Sequence, residues 1–290
     1  MEFYIVDVFA EQKYQGNPLA VLLPDRELAT EEMQQIAKEI NFSETTFIMS
    51  GKQRDGGYPV RIFTPNAELP FAGHPSLGTA FVIHHQLDPN KSRHMLLNLG
   101  VGQIPVSFAE GSDNELWMKQ QQPVFGEAIA PAVIAEILQI PVGDIQTAYP
   151  IHVSSTGFPS VIVPLKSLDA VRRCEVAPGK YKAFLENIAD ANLLVFSEET
   201  LHEQNDLHVR VFVNDPGYYE DPATGSATGN LAGYLLKHEF LQKGEIQLRI
   251  EQGYATGRPS LLHIDASKDG DSYDINVGGR VFFVAKGEWL

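Results

Sequence analysis

The chain has 290 residues, of which 43% are hydrophobic and 20% are charged, a composition typical of a soluble globular protein with room for two domains. Its formal net charge of −15 argues against a nucleic-acid partner, and no apolar run reaches the roughly 18 residues of a membrane span. The opening residues predict a strand and no signal peptide, and the single cysteine, Cys174, excludes an intrachain disulfide. We therefore expect a cytoplasmic protein with no membrane partner and a lone buried thiol.

Apolar periodicity predicts an α+β chain with mainly antiparallel sheet and few helices. The first part has predicted strands at Tyr4–Phe9, Leu19–Leu23, Thr45–Met49 and Val60–Thr64, and helices at Glu31–Glu39 and Ser76–His85. The polar, proline-broken segment Lys119–Glu127 predicts a linker. The second part has predicted helices at Pro131–Leu138, Tyr181–Ala189 and Thr228–His238, and strands at Thr147–Ser154, Ser160–Val163, Val209–Val213, Ile246–Ile250, Leu261–Ile264 and Arg280–Ala285.

Two glycine-rich turns of the same design, PFAGHPSLGTAFVI and EDPATGSATGNLAGYL, indicate an internal repeat. Each follows a strand that reads Arg-x-Phe, and the arginines Arg61 and Arg210 are 149 residues apart. The turn glycines Gly73 and Gly225 are 152 residues apart, and the glycines of the motifs GNP and GFP are 141 apart. The offset drifts in one direction while the order of elements is kept, so the pattern favours a duplicated domain over two unrelated α+β domains.

The two turns also predict where a ligand binds. A glycine lets the backbone approach a ligand closely, and the first amides of a helix are donors at the positive end of its dipole. Because the net charge repels anions, a carboxylate site in this protein needs such a local positive potential. We therefore expect Gly73 and Gly225 to lie at helix starts that hold an anionic group in a cleft built from two related halves.

Two candidate chemical groups lie in the first half. Glu44 is placed where a helix gives way to an apolar strand, and desolvation there is expected to raise its pKa, which suits a general base. Its counterpart in the second half is Asn192, and the alternative for Glu44 is an exposed glutamate at a strand end or a cap. His74 stands between Gly73 and Pro75, and Pro75 is the predicted first helical residue. His74 can donate or accept a hydrogen bond near neutral pH. The alternative for His74 is a loop histidine bonded to backbone, and metal ligation is disfavoured because the other histidines lack ligand spacing.

Two further candidates, Asp221 and Ser226, bracket the second turn. Their alternatives are a turn former for Asp221 and a helix N-cap for Ser226. The coincidence of an acid and a hydroxyl here with a histidine in the other turn favours one pocket that all of them share with Glu44. The chain has no P-loop, no Rossmann pattern and no nucleophile elbow. Proton transfer without a cofactor or metal is the chemistry that remains.

The segments GNPLAVLL, NFSETTFI, RIFTPNAELPFAGHPSLGTA, EDPATGSATGNLAGYL and EQGYATGRP resemble the PhzF-type phenazine-biosynthesis family, which shares the diaminopimelate-epimerase fold. The resemblance extends nearly from end to end, and GHP together with EDPATGSA is its most specific part. It implies two pseudo-symmetric lobes, residues 1–118 plus 279–290 and residues 128–278. Each lobe would be a curled, mostly antiparallel sheet around a central helix, with a cleft between the lobes. It also implies a homodimer.

The resemblance further implies a cofactor-independent isomerase that moves a proton within a small carboxylic acid. Glu44 would take the proton from one carbon and return it at another, while His74, Asp221 and Ser226 would bind the substrate and assist the transfer. The backbone at the two helix starts would hold the substrate carboxylate. Epimerases of the same fold use two facing cysteines, whereas Cys174 is alone and lies outside both turns, so racemisation by two thiols is excluded.

Two other functions remain open from the sequence. One is a non-catalytic protein of the same fold that binds a small anion, although the presence of all four polar candidates argues against it. The other is an enzyme of the same fold with different chemistry, such as an epimerase or a hydratase.

Overall fold

The structure is a computed structural model that describes residues 1–188, 190–215, 218–241 and 244–290, without the side chain of Asp215. Its strands are β1 (Glu2–Val8), β2 (Asn17–Leu23), β3 (Glu44–Ile48), β4 (Tyr58–Phe63), β5 (Glu68–Leu69), β6 (His94–Leu99), β7 (Gly102–Phe108), β8 (Glu115–Lys119), β9 (Val124–Ile129), β10 (Ile151–Ser155), β11 (Ser160–Pro164), β12 (Asn192–Ser197), β13 (Leu207–Asp215), β14 (Tyr218–Asp221), β15 (Glu245–Gln252), β16 (Ser260–Asp269) and β17 (Ser272–Glu288). Its helices are α1 (Thr30–Ile40), α2 (Gly73–Val82), α3 (Pro131–Leu138), α4 (Leu168–Arg173), α5 (Pro178–Ile188) and α6 (Gly225–Lys237), with a π-helical turn at Ile83–Leu87 and a 3-10 turn at Val142–Asp144.

The chain divides into two compact units, one formed by Met1–Lys119 with Gly278–Leu290 and the other by Gln120–Val277. Part of the predicted linker is a strand, because β9 begins at Val124 and pairs with β10. None of the helices in the described part of the chain combines the length and apolarity needed to cross a membrane.

The first unit is a sheet that closes around α2. β1 pairs with β2, β3 with β4, β6 with β7 and β7 with β8 in antiparallel fashion, whereas β2–β3 and β4–β6 are parallel. β17 pairs with both β8 and β1, so this last strand joins the two ends of the sheet and closes it. All ten residues of α2 are buried, because the helix contacts strands on every side. A Cβ at Gly78 would lie 2.6 Å from Leu19 Cδ2, so this close approach of helix and sheet requires glycine.

The second unit repeats this arrangement around α6. β10–β11, β12–β13 and β15–β16 are antiparallel, and β11–β12 and β13–β15 are parallel, in the same succession as in the first unit. β9 pairs with β10, as β17 pairs with β1. The α6 side chain of Asn230 is buried and bonds to Thr156, Ser160 and the Phe158 carbonyl, which ties the helix to β10 and β11. Outside the sheet, α3, α4 and α5 cover a second apolar core.

The predicted fold class, two repeated α+β units with a curled sheet around a central helix, is confirmed. The drift of the repeat from 149 to 152 residues has a local cause: the connection from Phe212 to Glu220 is three residues longer than that from Phe63 to Glu68. Because Arg61 and Arg210 precede this difference and the turn glycines follow it, the offset changes between them.

Several predicted boundaries were wrong for identifiable reasons. The helices predicted to follow the glycine turns begin three residues earlier, because the glycines themselves adopt helical geometry. The predicted strand Thr147–Ser154 begins only at Ile151, after Pro150. β7 and β9 were missed because they contain Pro105 and Gly126, residue types that are depleted in strands. The predicted last residue of the α5 helix, Ala189, lies outside the described residues.

Candidate active site

A polar cluster lies where α2 begins beside the starts of two parallel strands of the first unit. We call it the His74 cluster, and it consists of Asn17, Ser43, Glu44 and His74. Asn17 is the first residue of β2 and Glu44 the first of β3, and β2 and β3 run in parallel with Leu19 opposite Glu44. His74 is the second residue of α2. The parallel pairing therefore places the polar strand starts at one edge, next to the helix start.

The His74 imidazole contacts both neighbours in the cluster. Its Nε2 lies 3.4 Å from Glu44 Oε2, and its Nδ1 lies 3.3 Å from Asn17 Nδ2. Asn17 Oδ1 in turn accepts a hydrogen bond of 3.2 Å from the Ser43 hydroxyl. The His74 side chain is 5% exposed, and this burial lowers the pKa of His74 from 6.5 to about 3. His74 is therefore a neutral imidazole at physiological pH.

The start of α2 leaves backbone donors beside this cluster. Ala72 is the N-cap in extended conformation and supplies no side-chain cap. The amide and hydroxyl of Ser76 both bond to the Ala72 carbonyl, at 3.3 and 2.7 Å. Pro75 is the third helical residue and not the first as predicted, but a missing N–H also costs nothing there because the first-turn amides have no partner within a helix. The amides of Gly73 and His74 are consequently the donors that the α2 start offers.

A second polar group of residues lies at the start of α6. We call it the Asp221 turn, and it consists of Tyr218, Asp221, Thr224 and Gln252. The Tyr218 hydroxyl donates to Asp221 Oδ1 at 2.7 Å, and the Thr224 hydroxyl donates to Asp221 Oδ2. Gln252 Nε2 donates to the Asp221 carbonyl at 2.8 Å and to Thr224 Oγ1 at 3.2 Å, while Gln252 Oε1 accepts from the Thr224 amide at 3.3 Å. Asp221 and Gln252 are buried, so this network fixes the turn in front of the helix.

Gly253, which follows Gln252, lets the strand end approach this turn. Its φ is +81°, and a Cβ there would lie 2.5 Å from the Pro222 carbonyl oxygen and 2.2 Å from that of Arg258. Only glycine adopts this backbone conformation and tolerates this approach without strain. The EQG tripeptide therefore supports the turn through both a side chain and its backbone.

Ser226 does not cap α6. The N-cap is Thr224, whose hydroxyl is engaged by Asp221, and Ser226 is the second residue of the helix after Gly225. The Ser226 side chain is half-buried. The helix start thus presents the amides of Gly225 and Ser226 together with one hydroxyl.

The six predicted site residues fall into two groups. Glu44, His74 and Gly73 lie together in the first unit, and Asp221, Gly225 and Ser226 lie together in the second. The partners that sequence reasoning missed are Asn17, Ser43, Tyr218, Thr224 and Gln252. The sequence contained a signal for two of them, because Asn17 follows Gly16 and Gln252 precedes Gly253, each at the edge of a strand. Both glycines have positive φ in the structure.

The thiol takes no part in either group. Cys174 is buried, its Sγ lies 3.3 Å from the Ala170 carbonyl, and burial raises the pKa of the thiol to about 12. Among the described residues no set of three or more His, Cys, Asp or Glu side chains is arranged to hold a metal ion.

The comparisons with known proteins agree with one another. A family model described as phenazine biosynthesis-like protein matches residues 6–287. The chain is 33% identical over 300 residues to an uncharacterized isomerase of Mesorhizobium japonicum, which covers 99% of this chain and 97% of the relative. It is 32% identical over 288 residues to the trans-2,3-dihydro-3-hydroxyanthranilate isomerase of Pseudomonas aeruginosa, covering 98% of each.

Solved structures give the same result. The phenazine biosynthesis protein of the PhzF family from Bacillus anthracis matches with a TM-score of 0.90 and 27% identity, over 100% of this chain and 99% of that one. A probable proline racemase from Agrobacterium radiobacter matches with a TM-score of 0.65 at 8% identity, over 100% of this chain and 92% of that one. The second match is a similarity of fold alone.

Proposed function

This chain belongs to the phenazine biosynthesis-like protein family and is an isomerase, and we propose that it moves a proton within a small carboxylic acid, with Glu44 as the single general acid and base. In this proposal the Glu44 carboxylate takes a proton from one carbon of the substrate. The electron pair of the broken C–H bond passes into the substrate's π system. The proton on the carboxyl group exchanges with solvent, and the same group then delivers a proton to another carbon, so the reaction needs no cofactor and no second base.

The observation that carries the proposal is the contact between Glu44 and a neutral His74. Their Oε2 and Nε2 atoms are 3.4 Å apart, and burial keeps His74 uncharged at physiological pH. A charged histidine would form a full ion pair with Glu44 and weaken it as a base, whereas a neutral one leaves the carboxylate basic. Catalytic hydrogen bonds are often long before substrate binds, so the 3.4 Å distance is compatible with a working contact.

The helix starts supply the other half of the chemistry. We assign anion binding to the first-turn amides at Gly73 of α2 and, separately in the other unit, at Gly225 of α6, because helix starts bind anionic groups such as a carboxylate even in a protein of net charge −15. We assign the Ser226 hydroxyl to anion binding at the start of α6, beside Gly225. His74 would steady the delocalised anion as a neutral donor, and the Asp221 carboxylate would order the turn in front of α6.

The test is an isotope experiment with trans-2,3-dihydro-3-hydroxyanthranilate, the compound in the name of the Pseudomonas aeruginosa relative, as probe. In D₂O, we expect the wild-type protein to convert the probe and to place solvent deuterium in the product. Glu44→Gln should reduce the rate by at least about 10³-fold, the upper range for loss of a general acid–base, while the probe still raises the melting temperature of the variant. Asn192→Asp, at the equivalent position of the second unit, is the matched control and should keep wild-type activity.

Two results would overturn the proposal. A fully active Glu44→Gln would remove Glu44 from the chemistry. Binding of the probe by the wild-type protein without turnover or deuterium uptake would favour the alternative of a non-catalytic anion-binding protein.

A further inference from the structure

Asn17 is buried at the start of β2, in a position that its neighbours fix. The residue is 0% exposed and pairs with Val8 of β1. Gly16 before it has φ +69°, and a Cβ there would lie 2.3 Å from the Val8 carbonyl oxygen, so only glycine fits. The backbone therefore fixes the position of the Asn17 side chain beside His74 and Ser43.

The hydrogen bonds of the Asn17 amide define its orientation. The Ser43 hydroxyl donates to Oδ1, which leaves the NH₂ group for His74. An amide NH₂ has donors and no acceptor lone pair, so the His74 Nδ1 atom beside it must accept. The single proton of a neutral imidazole then resides on Nε2, the nitrogen that faces Glu44.

We propose that Asn17 is a positioning residue that holds His74 in the tautomer with its proton on Nε2, the nitrogen that lies 3.4 Å from Glu44 Oε2 without a hydrogen bond between them in this structure. The tautomer matters because His74 is neutral, so only one of its ring nitrogens can donate. A donor facing Glu44 favours the ionised carboxylate, which is the form that a general base needs. The opposite tautomer would turn a lone pair toward Glu44 and oppose that form.

The second unit shows that the strand start itself does not require asparagine. The equivalent residue of the GFP motif is Phe158, which is 42% exposed, and Ser226 occupies the position of His74. The backbone pairing of β11 is formed without an asparagine at that point of the chain, and the amide that bonds to the Phe158 carbonyl and the Ser160 hydroxyl there belongs to Asn230 of α6. The asparagine is present in the unit that has a histidine to orient.

The direct test is NMR of the intact protein labelled with ¹⁵N-histidine and needs no substrate. The His74 signals are identified by their loss in His74→Gln. In the wild-type protein at pH 7.5, we expect a protonated Nε2 and an unprotonated Nδ1, which long-range ¹H–¹⁵N correlations distinguish. Asn17→Asp replaces the donor by an acceptor of the same shape, and the proton should move to Nδ1. Phe158→Ala is the matched control and should leave the His74 signals unchanged.

The kinetic arm uses trans-2,3-dihydro-3-hydroxyanthranilate as probe and rests on the proposed function. Asn17→Asp should lower kcat by about 100-fold or more, the scale of a wrong histidine tautomer, with KM changed less than about threefold. Asn17→Leu removes the amide that favours a proton on Nε2 of His74 but does not favour a proton on Nδ1. It should therefore give a mixture of the two tautomers and a smaller loss of kcat. A role in folding alone would not move the tautomer.

The outcomes separate this inference from the proposed function. A wild-type His74 with its proton on Nδ1 would overturn the role of Asn17 without any variant, even if Asn17→Asp failed to fold. An unchanged tautomer in Asn17→Asp would do the same. An inactive protein, or an active Glu44→Gln, together with the expected tautomers would contradict the proposed function and leave Asn17 as the residue that orients His74.

Discussion

The starts of α2 and α6 have the same backbone but carry different polar side chains. In both units an arginine of the Arg-x-Phe strand pairs with a glutamate on the next strand, Arg61 with Glu68 and Arg210 with Glu220. In both, the guanidinium lies over the phenylalanine two residues later, at 5.1 and 4.8 Å from the ring centroid. The duplicated frame therefore includes side chains as well as strand order.

The chemical groups do not follow the duplication. Glu44 begins β3, whereas Asn192 begins the equivalent strand β12. On the other side, Asp221 pairs with Val211 at the end of β14, whereas the apolar Leu69 occupies that place at the end of β5. Each unit has thus kept the helix start and gained a different network, an acid–histidine pair in the first and a rigid turn in the second. The two units therefore share the frame and the helix start, and they differ in the polar networks beside that start.

The largest expected difference in stability concerns the two arginines. Arg210 is 11% exposed and donates to three carbonyls at the end of α4 besides Glu220, whereas Arg61 is 28% exposed and donates only to Glu68 and the Thr30 hydroxyl among the described residues. Arg210→Met should lower the free energy of unfolding by about 3 kcal/mol, because the half-buried Glu220 carboxylate loses its cation and three carbonyls lose a hydrogen bond. Arg61→Met should cost about 1 kcal/mol or less. Urea unfolding followed by circular dichroism measures both, and equal losses would mean that the two pairs are equivalent.

A second expected effect concerns the residue at the end of the strand beside each helix start. Gln252 and Leu99 are equivalent positions of the two units. Gln252 lies two residues after Ile250, which pairs with Leu207. Leu99 lies two residues after Leu97, which pairs with Tyr58. Gln252→Leu gives the second unit the residue of the first and removes three hydrogen bonds of the Asp221 turn. The unfolding free energy should fall by about 3 kcal/mol, because buried backbone groups at the turn lose their partners.

Leu99→Met is the matched control, since it preserves volume in the first unit and should cost less than about 1.5 kcal/mol. A Gln252→Leu protein as stable as this control would mean that the turn holds its conformation without the glutamine. In that case the Asp221 carboxylate and the Thr224 hydroxyl would fix the turn by themselves.

The sequence predicted the frame better than the networks. Strand alternation and the repeated turns identified the central helices, and the ETTFI and GHP motifs pointed to Glu44 and His74, which the fold brings to 3.4 Å. Asn17 and Gln252 were not predicted as site residues, because their roles depend on which atoms lie across a strand pairing. The helix starts were misplaced because Gly73 and Gly225 are typical turn residues, and only tertiary packing shows that they are helical.

The smallest expected effect is a pH dependence of the free energy of unfolding that comes from the buried His74. The equivalent position of the second unit is Ser226, which does not titrate. Folded His74 stays neutral down to its pKa of about 3, whereas in the unfolded chain it binds a proton below about 6.5. The unfolded state therefore binds one more proton in this range, and stability falls as the pH is lowered. Lowering the pH from 7.5 to 5.0 should remove about 2 kcal/mol from the wild-type protein that His74→Gln does not lose. Urea unfolding at both pH values measures this loss of stability. Ser226→Ala is the control, and its free energy of unfolding should differ from that of the wild type by the same amount at both pH values. Parallel pH dependence of wild type and His74→Gln would mean that His74 binds a proton equally well in both states, and the neutral donor assigned to it would then be wrong.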